Sequence, residues 1–261
     1  MRALSIAASG MEAQQLNVEV ISHNIANMNT TGYKRQRAEF EDMLYQNQQR
    51  PGSSSSSNGN IVPLGIQLGV GVRADAVGRI TEQGGMSQTG NPYDLGINGS
   101  GYIQVTLPSG QLAYTRAGNL AVNADGIIVT ADGYPIEPSI TVPPDATAVN
   151  ISRDGIVEAT MPSQTAPQQL GQLEIANFIN PPGLEAVGDN LFLETPASGA
   201  PNVATPGSPG FGTLMQGYLE LSNVNAVEEI SSLIEAQRAY EMNSKVITAA
   251  DEMLQATTQL R

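Results

Sequence analysis

The chain has 261 residues, 12 basic and 25 acidic side chains for a net charge of −13, 27 glycines, 16 prolines and no cysteine. That length allows a sizeable core, while the negative charge argues against nucleic acid and anionic lipid as partners. The missing thiols exclude disulfides and thiolate nucleophiles or metal sites, and no stretch approaches the roughly 20 apolar residues of a membrane-spanning helix, so direct membrane insertion is not expected.

The first element is an amphipathic helix over residues 4–28. Leu4, Met11, Val18 and Ile25 recur every seven residues, and Ala7, Ile21 and Met28 lie three later, with Gln14 as the polar exception. This is a heptad seam of the coiled-coil kind, about 37 Å long. After Met1-Arg2, the run Leu4 to Ala8 loosely imitates a signal peptide. Ser5, Ser9 and Gly10 interrupt it, and the helical pattern continues past any cleavage point. Asn27-Met28-Asn29-Thr30-Thr31-Gly32 reads as a stop, with Gly32 able to take a left-handed cap.

Residues 33–45 are mixed. Tyr33, Phe40, Met43, Leu44 and Tyr45 are apolar anchors, and Lys34, Arg35 and Arg37 form a basic cluster expected to pair with carboxylates such as Glu39, Glu41 and Asp42. Residues 46–63 turn polar and contain Pro51-Gly52, the serine run Ser53 to Ser57, and Pro63. This insert is too poor in apolar side chains to fold alone.

Residues 64–213 read as an irregular antiparallel β domain. Ile103, Val105 and Leu107 alternate with polar neighbours, and Pro108-Ser109-Gly110 turns the chain into Leu112 to Thr115. Asp125-Gly126, Asp132-Gly133 and Asp154-Gly155 are hairpin signals, because glycine supplies the positive φ of a tight turn. Further strands are expected at Leu173 to Ile175 and Leu191 to Leu193. The charge is uneven: residues 1–50 balance, whereas 51–215 carry four basic and thirteen acidic groups. The acidic middle is therefore expected to stay solvated.

The last element is a helix over about 218–258, within a C-terminal segment 214–261. Its seam is Ala226, Leu233, Tyr240, Ile247 and Leu254, with companions Ile230, Gln237, Ser244 and Asp251. The fold class is thus mixed α and β: N- and C-terminal helices form a coiled-coil-like core around segment 1–45 and the C-terminus, with a central β domain. Polar seam positions weaken a coiled coil, and marginal helices depend on packing partners. The partners are either the other end of the chain, as in an ordinary bundle, or neighbouring copies.

No catalytic, cofactor or metal constellation is legible. Gly69-Val70-Gly71 and Gly99-Ser100-Gly101 lack dinucleotide spacing. Asn123, Asp125 and Asp132 lack EF-hand spacing. His23 is the single histidine, too few for the usual zinc sites. Glu228-Glu229 on a long helix reads as a solvated or contact face.

The segment Asn24-Ile25-Ala26-Asn27-Met28-Asn29-Thr30-Thr31-Gly32-Tyr33-Lys34-Arg35 resembles the N-terminal signature of flagellar rod and hook proteins. Ser222-Asn223-Val224-Asn225, then Glu228-Glu229, then Gln237-Arg238-Ala239-Tyr240-Glu241-Met242-Asn243-Ser244-Lys245 resembles the C-terminal one. Gly99-Ser100-Gly101-Tyr102 and Tyr114-Thr115-Arg116-Ala117-Gly118 are similar to the family's β core. Met11-Glu12-Ala13-Gln14-Gln15, Phe40 to Tyr45, the insert and the total length match the distal-rod branch best. The resemblance implies a non-enzymatic subunit, without cofactor, that polymerises with itself into a hollow, rigid shaft. It also implies proximal rod proteins, a hook or hook-junction protein, the P and L rings and the flagellar type III export apparatus as partners. A proximal rod or hook subunit is the nearest alternative, and a secreted β-rich hydrolase the distant one. On this reading the assembly seams are Leu4, Met11, Val18, Ile21, Ile25, Ile230, Leu233, Tyr240, Ile247 and Leu254.

Overall fold

Both chain ends are helical because apolar residues recur there at helical spacing and proline is absent. The computed structural model describes residues 2–49, 64–162 and 166–259. Helix α1 spans Arg2–Ala26 and helix α2 spans Ala226–Gln259. The chain divides into two compact units: residues 1–25, 36–78 and 225–261 in one, residues 26–35 and 79–224 in the other.

In the helical unit, α1 and α2 run antiparallel. Asn24 meets Glu229 near the end of one and the start of the other. Gly10 lies as far back along α1 as Asn243 lies forward along α2, and a Cβ on Gly10 would sit 2.9 Å from the Asn243 amide. The strand Gln36–Asp42 pairs with Val72–Arg79, and Tyr45–Gln49 pairs antiparallel with Ile66–Gly69. Sequence reading placed no strand in 33–49. These ribbons are solvated on both faces, so they lack the alternation that marks a half-buried strand. Of the expected insert 46–63, residues 46–49 lie in a strand; residues 50–63 are outside the described residues.

Helix α2 starts eight residues later than periodicity predicts. Thr213–Gln216 and Tyr218–Glu220 are strands, and Asn225 is the cap: its Oδ1 accepts from the Val227 N–H at 3.1 Å. Glu228 and Glu229 in the first turn complement the helix dipole.

The β unit is built on a seven-stranded antiparallel sheet. Six strands follow the order Glu185–Gly188, Leu191–Leu193, Leu112–Thr115, Tyr102–Thr106, Ile175–Asn177, Asn202–Ala204, and Ile136–Glu137 also pairs with Tyr102–Thr106. The central strands are buried on both faces. One face joins a core of Leu95, Ile97, Ile103, Val105, Ile136 and Val157 among others. The other packs Tyr102, Tyr114, Phe178, Leu184 and Phe192, with edge-to-face ring pairs such as Tyr114 on Phe178 at 4.8 Å. The Asp-Gly turns lie where expected: Gly126 and Gly155 both take φ 81°. Gly126 closes Leu120–Val122 onto Ile128–Thr130, and Gly155 closes Ala148–Ile151 onto Ile156–Thr160. The strand expected at 173–175 is displaced to Ile175–Asn177.

Candidate functional site

An arginine within an apolar strand pattern requires a buried counter-charge, since an unpaired buried ion is strongly unfavourable. Arg116 follows the strand Leu112–Thr115, and its partner is Glu220, one of the least exposed side chains in the β unit at 1%. Glu220 Oε2 accepts from Arg116 Nε at 2.5 Å. Glu220 Oε1 accepts from Lys34 Nζ at 2.7 Å and from the Gly84 N–H at 2.9 Å. The remaining donors of Arg116 face backbone: Nη1 donates to Gly101 O and Nη2 to Gly99 O, each at 2.6 Å, with Ile97 O at 3.2 Å. Lys34 Nζ also donates to Glu82 O at 2.8 Å.

Three motifs legible in the sequence meet here. Gly99 and Gly101, at φ 108° and 145°, present their carbonyls to the guanidinium. Gly32, at φ 68°, donates its N–H to the Glu220 carbonyl at 2.8 Å, and a Cβ there would lie 2.8 Å from the Arg116 backbone. The meeting point, Glu220, was not singled out from sequence; the signal for it was the uncompensated Arg116. Lys34 pairs with Glu220 and not with Glu39, Glu41 or Asp42. Arg37 does pair with Glu39 at 2.7 Å, and Arg73 pairs with Glu41.

Burial by itself raises the Glu220 carboxyl, but the Arg116 charge and the hydrogen bonds from Lys34 and Arg116 outweigh it and hold the group below the usual glutamate range. Burial pushes the Lys34 ammonium below the usual lysine range, against the pull of Glu220 and with added repulsion from Arg116. One carboxylate serves two cations, so the fold favours the ionised form of Glu220 while burial works against the charge of Lys34. With Arg116 bound to Glu220 and three backbone carbonyls, the cluster is a staple between chain segments.

The expected seams lie in the helical unit. Ile21 is buried; Leu4, Met11, Val18, Ile25, Leu233 and Ile247 are half-buried; Ile230, Tyr240 and Leu254 are exposed. The inward row of α1 is Ala7, Ala13, Val20, Ile21 and Asn24. Among the described side chains of α2 the buried ones are Glu229, Ala236 and Ala250, one position before the expected companions Ile230, Gln237 and Asp251, which with Ser244 are exposed. Alanine and glutamate carry little hydrophobic signal, so periodicity selected the neighbouring outward row. Of the N-terminal signature, Asn24, Gly32, Tyr33 and Lys34 are buried, Asn27, Thr30 and Arg35 half-buried, and Ala26 exposed. In the C-terminal signature Gln237, Arg238, Tyr240 and Glu241 are exposed. Asn123 makes a local turn, its Oδ1 accepting from the Asp125 and Ile127 N–H groups. Among the described residues no group of three His, Asp or Glu side chains is placed to hold a metal, and no helix is long and apolar enough to cross a membrane.

Apolar side chains left exposed on α2 and ion pairs satisfied inside the β unit fit a structural protein that assembles through its helices. Comparison with known proteins agrees. Residues 4–34 match the family model described as flagella basal body rod protein, 96–159 the D1 domain of flagellar hook proteins FlgE/F/G, and 215–260 the C-terminal domain of flagellar basal body rod FlgEFG proteins. The chain is 63% identical over 261 residues, covering 100% of both chains, to the flagellar basal-body rod protein FlgG of Caulobacter vibrioides. It is 36% identical to that of Bacillus subtilis, covering 100% of this chain and 99% of the relative. It is 33% identical to the rod protein FlgF of Caulobacter vibrioides, covering 98% and 96%. The chain belongs to the flagellar basal-body rod proteins. It is a structural subunit of the rod, located in the basal body and assembling there with other flagellar proteins, and no match indicates a catalytic family.

Proposed function

We propose that copies of this chain polymerise helically through the apolar side chains that the terminal helices leave uncovered, in coiled-coil-like packing, into the hollow distal part of the rod. That shaft carries torque from motor to hook and passes exported subunits through its lumen. The subunit itself travels through the flagellar type III export apparatus. Its neighbours are proximal rod proteins on one side and a hook or hook-junction protein on the other, with the P and L rings around it. It performs no catalysis and takes no cofactor.

The observation that carries this reading is the set of apolar side chains that α2 leaves exposed. Ile230, Ile234, Tyr240, Val246, Met253 and Leu254 are all exposed, Ile230 at 49% and Leu254 at 44%. Each is already partly covered, so burying the remainder against another copy contributes about 1 kcal/mol per side chain. The test is Ile230→Asp or Leu254→Asp, which places a charge at a contact expected to be dry, at a cost of several kcal/mol. Because neither side chain is buried within the chain, circular dichroism should be unchanged while sedimentable polymer disappears. Normal polymer from both variants would sink the reading. Leu233→Asp reports in the same direction less cleanly, and Ile21→Asp is unsuited because Ile21 belongs to the chain's own core.

A further inference from the structure

The chain passes between its two compact units after Ile25, after Arg35, after Gly78 and after Val224. Each unit fastens its own side of these passages with one asparagine amide. In the β unit, Asn223 Oδ1 accepts from the Arg35 N–H at 2.7 Å, and Nδ2 donates to Ile80 O and Glu82 O, both at 3.1 Å. The Ile80 N–H donates to the Arg35 carbonyl at 2.8 Å. A single side chain thus joins residue 35, residues 80–82 and its own segment. In the helical unit, Asn24 Oδ1 accepts from the Gln36 N–H at 2.9 Å, and Nδ2 donates to Gln36 O at 2.8 Å and to Glu229 Oε2 at 3.2 Å. Asn24 is 1% exposed.

In consequence the adjoining residues Arg35 and Gln36 have both N–H groups and both carbonyls bound. A hinge is a short stretch free to absorb φ/ψ change; a backbone bound at every polar group is not. An asparagine amide suits this task because it offers one acceptor and one donor face, as a neighbouring strand does. We propose that Asn223 and Asn24 are positioning residues, Asn223 holding Arg35 within the β unit and Asn24 holding the start of the strand Gln36–Asp42 within the helical unit, so that neither end loosens when the subunit bears a twisting load. The load belongs to the rod reading above, and the inference rests on it; the fixing of the strand can be measured without it.

The experiment is hydrogen exchange on the full chain carrying Asn223→Ala, Asn223→Asp or Asn24→Ala. In Asn223→Ala the Arg35 amide should exchange at least about fivefold faster, the loss of one hydrogen bond of ordinary strength. In Asn24→Ala the Gln36 amide should do the same. The strands Tyr102–Thr106 and Leu112–Thr115 should keep their native rates in both. Asn223→Asp keeps the oxygen that accepts from Arg35 and turns a second acceptor towards two carbonyls; Arg35 should stay protected while Ile80 loosens. Native exchange at residues 35 and 36 would overturn the proposal, as would loosening of the whole sheet in the isosteric aspartate variant. In cells, rods of the two alanine variants should assemble in native numbers and swim normally in dilute medium, losing speed in viscous medium. Native speed at high load would overturn the load-bearing role. Failure of the native chain to restore rods to a strain lacking it would instead reject the rod reading, leaving the exchange result standing.

Discussion

Glu220 ties Lys34, Arg116 and the Gly84 backbone with one carboxylate, and its ionised form is favoured by the fold. Its folded pKa lies below the ordinary value of 4.5. The stability it contributes is therefore fully present above about pH 4.5 and is lost as pH falls through the lower folded value. The denaturant midpoint of the β unit should hold from neutral pH to about 5 and fall below that. Glu220→Gln leaves two buried cations against a neutral amide, so a loss of about 3–5 kcal/mol at pH 7 is expected. The variant should also lack the native acid-dependent decline. Equilibrium unfolding of both proteins between pH 7 and pH 3 checks this; parallel declines would remove Glu220 as the titrating group.

The two helices differ from the sheet in how they are held. Among the described side chains of α2 only Glu229, Ala236 and Ala250 are buried, over a helix of 34 residues. Polar seam positions such as Gln14, Gln237, Ser244 and Asp251 add nothing to an apolar contact. Ordering such a helix is repaid chiefly by packing against further copies. In dilute chain, amides of α2 should exchange orders of magnitude faster than those of Tyr102–Thr106, and assembly should protect them. Strong protection of α2 before assembly would contradict this. The ribbon Tyr45–Gln49 with Ile66–Gly69 has a related deficit. Two strands alone are marginal, and Leu44, beside it, is 87% exposed. We propose that the insert resists axial sliding between copies and keeps the rod straight. Deleting residues 50–63 spares both strands and should give curved shafts by electron microscopy; straight shafts of native stiffness would refute it.

Across the whole chain, the net charge of −13 opposes bringing copies together. If apolar rows drive assembly and like charges resist it, salt should help by screening. The Debye length falls from about 30 Å at 0.01 M to about 8 Å at 0.15 M. The critical concentration for polymer should drop across that range in sedimentation assays. A rise would mean that ion pairs between copies dominate the contact.

The sequence by itself determined the helix–β–helix order, the Asp-Gly hairpins and the family signatures at both ends. These depend on local periodicity and on turns that need glycine, which neighbouring residues specify. It could not determine which row of α2 faces inward, because alanine and glutamate at 229, 236 and 250 carry no hydrophobic signal; only the approach of a second helix decides. Nor could it reveal the solvated ribbons at 36–49, which have no buried face to leave a pattern. Glu220 was hidden for a related reason: its partners, Lys34 and Arg116, lie 186 and 104 residues away. Only the tertiary fold brings those charges into a dry interior, where pairing becomes obligatory.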